Sequence, residues 1–311
     1  MLYDIRHLTT MTYASPVRLA RFNLRLRPAP WPGQVLDRFN LAIDPVPWSV
    51  QDEAGPFIVN RSRLTIRRPL SRLRIETRFR VEVSEPSLIA AMYLGEGTAP
   101  SVAPGADPVM GGPTVAQVRE RAARNRDLTA MGPASYLYPS PMAPSTPAIG
   151  AWSAQFFPTQ QSVLVAGCAL MRAIYEEFKY DGAATTTRTL PDEAFVARHG
   201  VCQDFAHVMI VAARAHGIPA AYVSGYLRTI PPPGKPRLVG ADATHAWANL
   251  WCGEELGWVG FDPTNNTLAR SDHIFTAMGR DYADVAPLDG VFHGGRGQTM
   301  TVSVDVAPVE S

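Results

Sequence analysis

The hydrophobic period of this chain changes partway along it, and that change limits the folds available. Over residues 1–85 apolar side chains recur at every second position: Leu24 and Leu26, Leu41 and Ile43, Leu64 and Ile66, then Leu73, Ile75, Phe79, Val81 and Val83. Arg25, Arg27, Arg63, Arg74, Arg78 and Arg80 fall between them. Successive strand side chains point to opposite faces, so one face is buried and the other wet. Turn chemistry at Pro28–Gly33, Pro45-Val46-Pro47 and Gly55-Pro56 separates the runs, as in an antiparallel sandwich or barrel. After Gln161 the spacing lengthens. Leu164, Cys168, Met171, Ile174 (or Tyr175) and Phe178 recur at three- and four-residue intervals, which predicts an amphipathic helix over Gln161–Tyr180. The expected fold class is therefore α+β: an N-terminal antiparallel β-sandwich or barrel-like domain, then a mixed core.

The pattern divides the chain into a β domain (1–85), a linker or covering segment (86–158), a core (159–295) and a terminal strand or tail (296–311). The second segment is rich in Pro, Gly and Ala over Gly95–Pro113 and in Pro and Ser over Pro133–Pro147, with a helical candidate near Thr114–Asn125. Such a stretch either links or wraps. With 28 prolines in 311 residues, about 9% against a usual ~5%, many chain reversals are expected.

A net charge of +1 removes the electrostatic case for a nucleic-acid or anionic-membrane partner. The balance is uneven, since residues 1–90 hold 14 Arg against 8 Asp and Glu. Solvated charge on separate surfaces is the simpler account, attraction between the parts the second. No run approaches the roughly 18 apolar residues of a membrane helix, and Met1–His7 lacks a signal peptide's apolar block; a cytoplasmic protein is expected. Cys168, Cys202 and Cys252 form no CxxC pair, which indicates neither a disulfide framework nor a cysteine zinc site.

The segment Arg198–His207 is the most informative. A short helix over Glu193–Arg198 ends at His199-Gly200, Cys202 follows at once, and Phe205, Val208, Met209, Ala212 and Ala213 then line one helical face up to Gly217. Cys202 thus falls at a helix N-terminus, where unsatisfied N–H groups and the helix dipole favour a thiolate and can hold an oxyanion. A thiol nucleophile needs a base, and the base an orienter. His245 begins the strand-like run His245–Trp251, with Trp247 and Asn249 on its face, and Gly257–Phe261 reads as a short strand closing at Asp262. Adjacent antiparallel strands would bring Asp262 to His245.

Three stretches carry a family resemblance: Gly200-Val201-Cys202-Gln203-Asp204-Phe205-Ala206-His207, then Asp242-Ala243-Thr244-His245-Ala246-Trp247, then Gly257-Trp258-Val259-Gly260-Phe261-Asp262-Pro263-Thr264-Asn265. They resemble the core of the transglutaminase-like superfamily, in its bacterial branch with an N-terminal β domain. The opening Tyr3, Arg6, His7, Thr9, Tyr13, Pro16 and Val17 and the tail Gly279–Pro287 are similar to that branch too. Near Asp52–Asn60 the sequence departs from it. The resemblance implies a papain-like core with Cys202 as nucleophile, His245 as base and then acid, and Asp262 as orienter; no cofactor is expected.

The expected activity is acyl transfer on a peptide or protein amide through a thioester. Water resolves that thioester in a peptidase or amidase, and an amine in a transglutaminase. Hydrolysis is favoured, there being no calcium loop of the D-x-D-x-D-G kind. A noncatalytic binding module is the competing class, and the complete Cys, His, Asp set speaks against it. Gln203, Tyr226 and Trp247 are candidate cleft residues. His199, His207 and His216 lie near Cys202 in sequence, but His207 projects about 140° away from Cys202 around a helix, so no metal site is expected. Cys168 and Cys252 read as structural.

Overall fold

The computed structural model describes residues 1–86, 111–229, 244–295 and 297–309. Part of the Gly95–Pro113 stretch, a proline-rich loop at 231–234, and Asp242 and Ala243 of the second stretch above lie outside the described residues.

The N-terminal region is a curled antiparallel sheet, a half-barrel, built on one long strand. Strand β1 (Leu2–Leu24) is joined by β2 (Gln34–Asp44), β3 (Ser49–Ala54), β4 (Asn60–Ile66) and β5 (Leu70–Val83) in the order β2-β5-β1-β4-β3. The alternation read from the sequence holds: Leu64, Ile66, Leu73, Ile75, Phe79, Val81 and Val83 are all buried. On the wet face Glu76 accepts from Arg6 Nε at 2.7 Å and Arg78 Nε at 2.8 Å. The register of β1 shifts between Thr12 and Val17, where Pro16 has no N–H to give a ladder. Its first part pairs with β5 and its second with β4.

A helical layer follows: α1 (Val115–Arg124), α2 (Pro147–Ser153), α3 (Val163–Glu177) and α4 (Pro191–Ala197). Thr114 caps α1 reciprocally with Gln117, satisfying two of the N–H groups a helix start leaves open. Residues 133–142 are tied to the core by buried Arg214. Its guanidinium donates to the carbonyls of Tyr136, Ala220 and Arg280 and to Ser140 Oγ. Met142 N–H is received by Asp281.

Two-residue strands β6 (Lys179–Tyr180) and β7 (His199–Gly200) pair in parallel before α5 (Cys202–Ala215). The core sheet then runs β8 (Ala220–Leu227), β9 (Thr244–Trp251), β10 (Trp258–Asp262), β11 (Thr267–Leu268) and β12 (His273–Gly279), antiparallel in the order β11-β10-β9-β8-β12. Its two faces differ. Ala220, Tyr222, Ala246, Ala248 and Leu250 pack with α5 and the helical layer, whereas Ala221, Val223, Trp247 and Phe275 pack with Ala29 and Ile58 of the N-terminal region.

After the short α6 (Tyr282–Val285) the chain returns to the first sheet. Strands β13 (Leu288–Gly294) and β14 (Gln298–Pro308) both pair with β1, so the N-terminal sheet extends beyond residues 1–85. No helix among the described residues is long and apolar enough to cross a membrane.

Candidate active site

Helix α5 begins where it does because several local devices converge. Helix α4 ends on Arg198 with a φ of 55°, and Gly200 joins β7. A side chain at Gly200 would place its Cβ 2.6 Å from Asp204 Oδ2 and 2.9 Å from Asp204 Cβ, so glycine is needed for that close approach. Asp204 reaches back to accept the Val201 N–H at 2.8 Å and the Thr185 hydroxyl at 2.6 Å. Burial raises the pKa of Asp204, against the lowering effect of these two hydrogen bonds. With the turn fixed, Cys202 is the first residue of α5 and half-buried, its own N–H among those a helix cannot satisfy internally.

His245 enters from the start of β9, opposite Gly225 on β8. On the other flank β10 sets Phe261 against Ala248, which carries Asp262 toward His245. His245 Nε2 lies 2.8 Å from Asp262 Oδ2, and Cys202 is near enough to the same imidazole to influence its charge. Burial pulls the His245 pKa down, but the Asp262 charge and the hydrogen bonds with Asp262 and Cys202 outweigh it and lift it to about 10. The geometry favours an imidazolium.

Asp262 is fully buried and every lone-pair direction is used. Its Oδ2 also faces His273 Nε2 at 3.1 Å and accepts from Asn265 Nδ2 at 2.7 Å, while Oδ1 accepts the N–H groups of Thr264 and Asn265 at 3.0 and 3.3 Å. Burial alone would raise its pKa. The His245 charge and the hydrogen bonds from both imidazoles prevail and hold it far below the usual carboxylate range. His273 Nδ1 accepts the Arg270 N–H at 3.1 Å, so the His273 proton sits on Nε2 and is donated to Asp262.

The structure thus brings Cys202, His245 and Asp262 together. Gln203, beside Cys202, donates from Nε2 to the Thr187 carbonyl at 3.3 Å. Trp247 is buried behind His245, with ring centres 6.2 Å apart, and meets His273 edge-on at 5.2 Å. Tyr226 is not a cleft residue: it points to the opposite face of β8 from Gly225, its hydroxyl lies 3.0 Å from His7 Nδ1, and its ring packs near Phe79 between the two sheets. Sequence reasoning missed His273, which lies on a strand two places from β9 with no local pattern around it. It also missed the role of Asn265, although Asn265 closes the Asp-Pro-Thr-Asn stretch.

Cys168 and Cys252 are buried, and burial pushes the Cys168 thiol up to about 12 and the Cys252 thiol well above its ordinary value. His207 is buried on the far side of α5, accepts the Tyr282 N–H at 3.2 Å, and is pulled down to about 4 by burial. His216 lies 2.9 Å from Ser153 Oγ. Among the described residues, His245, Asp262 and His273 bring possible ligand atoms within 4.8 Å of one another. Both imidazoles aim Nε2 at a single carboxylate oxygen, which is hydrogen-bonding geometry.

Comparison with known proteins matches both parts of the chain. Residues 151–263 fit the family model of the transglutaminase-like superfamily, and residues 3–82 that of the bacterial transglutaminase-like N-terminal region. By these two matches the core of the chain is similar to the transglutaminase-like superfamily and its first sheet to the bacterial N-terminal region that accompanies it. It is 49% identical to an uncharacterized protein of Mycobacterium bovis over 145 residues, 45% of this chain and 46% of that one. The chain thus spans about half the length of the curated relatives it matches. A protein-glutamine gamma-glutamyltransferase of Pseudomonas aeruginosa is 38% identical over 104 residues, 31% of this chain and 15% of that protein. A solved structure described as a candidate cysteine protease of Cytophaga hutchinsonii has the same fold, with a TM-score of 0.68 at 20% identity, covering 100% of this chain and 92% of that one.

Proposed function

We propose that this protein cleaves amide or peptide bonds by cysteine-dependent acyl transfer. The observation that carries this reading is the grouping of Cys202, His245 and Asp262, with the buried carboxylate 2.8 Å from His245 Nε2 and Cys202 at the start of α5 beside the same imidazole. Cys202 Sγ attacks the amide carbon, and the negative oxygen is held by the Cys202 N–H at the start of α5. The His245 proton passes to the leaving nitrogen, the C–N bond breaks, and the acyl group stays on sulfur as a thioester. A water molecule then gives its proton to His245 and attacks the thioester carbon, releasing a carboxylic acid and restoring the thiol. Asp262 keeps the ring oriented throughout. Its value lies in position and charge, since it is already fully ionised.

Amine transfer is the second reading, favoured by the 38% identity to the Pseudomonas glutamyltransferase. There a substrate amine replaces water, and the product is a new amide.

Iodoacetamide labelling near neutral pH followed by mass spectrometry tests the shared first step. Selective modification of Cys202 over Cys168 and Cys252 is expected; equal or absent labelling of Cys202 overturns the nucleophile. Incubating the enzyme with casein and a dansylated amine separates the two readings. Peptide or ammonia release without dansyl incorporation supports hydrolysis, and incorporation supports transfer.

A further inference from the structure

His273 opens β12, opposite Leu227 on β8, and that ladder fixes its backbone but not the rotation of its ring. The ring takes its bearing from the turn before it. The His273 N–H donates to the Arg270 carbonyl at 2.9 Å, and the Arg270 N–H donates in return to His273 Nδ1 at 3.1 Å. The place of the Arg270 amide therefore sets the line along which His273 Nε2 meets Asp262 Oδ2, 3.1 Å away.

That turn is tied to the N-terminal region at successive residues. Glu85, just past the end of β5, uses both carboxylate oxygens: Oε1 accepts from Arg270 Nε at 2.9 Å and Oε2 accepts the Ser271 N–H at 3.2 Å. The Asp272 carboxylate accepts from the Tyr3 hydroxyl of β1 at 2.7 Å, and the Asp272 carbonyl accepts the Arg228 N–H at 3.1 Å. The two anchors differ in kind. Tyr3 is fully buried and packs between the sheets with Tyr226 and Ile274. Glu85 and Arg270 are both partly exposed, and an ion pair open to water adds little to folding. What Glu85 does, by holding one side chain and one amide of the turn together, is limit where the Arg270 N–H can go.

We propose that Glu85 is a positioning residue for the Cys202 site, acting through Arg270 and Ser271 on the His273 ring, and through that ring on Asp262 and His245. With Nδ1 engaged as an acceptor, the His273 proton stays on Nε2 and is donated to Asp262. Release of the turn lets the ring exchange tautomers, because the partner of one ring nitrogen decides where the proton sits. The form protonated on Nδ1 turns a lone pair toward the carboxylate, and Asp262 loses a donor. The N-terminal region thereby takes part in the chemistry while supplying none of the three reacting groups. The inference rests on the acyl-transfer reading of Cys202, His245 and Asp262.

The test compares the full chain with Glu85→Ala, His273→Gln and the double variant. The His273 ring nitrogens are read by long-range ¹H–¹⁵N NMR and assigned with His273→Gln. In the parent protein Nε2 should carry the proton; in Glu85→Ala the Nδ1 and Nε2 signals should move toward each other as the tautomers mix. Glu85→Ala should lower kcat as His273→Gln does, by up to about tenfold with KM unchanged, and the double variant should be no slower than His273→Gln alone, since both act by one route. Glu85→Gln, which can keep the Ser271 bond but not the charge facing Arg270, should show the same changes in part and serves if Glu85→Ala does not fold. An unchanged His273 spectrum, an unchanged kcat, or losses that multiply in the double variant overturn the proposal. If the parent protein performs neither hydrolysis nor transfer, the reading of the Cys202 site falls, and the His273 spectrum alone decides whether Glu85 sets the ring.

Discussion

His245 and His7 are both buried, each hydrogen-bonded to its surroundings, yet one corner of the molecule holds its histidine charged and the seam between the sheets holds the other neutral. At the corner His245 meets the Asp262 carboxylate, and its pKa rises to about 10. In the seam His7 meets, among the described residues, the Tyr226 and Thr9 hydroxyls, at 3.0 and 2.9 Å, and burial takes its pKa down to about 4. Burial acts in the same direction on both. The nearby carboxylate decides the outcome, because a hydroxyl cannot compensate for the lost hydration of an imidazolium. The corner is thus built to keep charge out of water, and the seam to keep charge out altogether.

Removing the sulfur should have the largest effect at the corner. Cys202→Ala is expected to abolish thioester formation completely, seen as loss of any acylated protein by mass spectrometry, with His245→Ala nearly as severe. Neutralising the orienter should do less. Asp262→Asn keeps a hydrogen-bonding group but removes the charge that lifts His245, so a loss on the order of 10–10³ in kcat is expected, with unchanged circular dichroism. Loss as complete as that of Cys202→Ala would show that Asp262 does more than orient.

The two regions should also respond to pH with opposite sign. The raised pKa of His245 contributes stability that is complete below about pH 6.5 and lost as pH climbs through about 10. The lowered pKa of His7 works the other way: no cost appears above about pH 6.5, and stability falls as pH drops toward 4, by on the order of 3 kcal/mol. Denaturant unfolding of His245→Gln should therefore converge on the parent protein at alkaline pH, and His7→Gln should blunt its acid loss. Parallel curves for parent and variant would break the contrast. The smallest effect is expected for His273→Gln, which keeps a donor near Asp262 but loosens its hold. A fall in kcat of at most about tenfold should come with an alkaline limb of the pH profile moved to lower pH, whereas a merely structural role would leave the limb in place.

The three reacting groups were legible because each carries a local signal: a glycine turn before a helix at Cys202, the start of a strand at His245, the end of one at Asp262. His273 has no such mark. It reaches Asp262 only because β8 lies between β9 and β12 in the sheet order, a long-range pairing that no short window of sequence contains. Tyr226 misled for the converse reason, since closeness in sequence to the reacting strands says nothing of which face of β8 it occupies. The continuity of β1 was masked too. His7 and Thr9 lie on its buried face and look polar, although they are hydrogen-bonded to each other.

Strand β1 has a consequence in time as well as in space. One of its flanks is made by β4 and β5, close in sequence, but the other is made by β13 and β14, with Tyr3 opposite Pro308 and Leu24 opposite Leu288. During synthesis that flank waits with its amides and carbonyls bare until β13 and β14 have emerged, and such an edge invites pairing with other chains. Contacts of this sequence separation are also slow to form. The core, whose helix α5 and five strands lie between, can gather first and hold β1 near the segment that follows it, so β13 and β14 complete the sheet that β1 began.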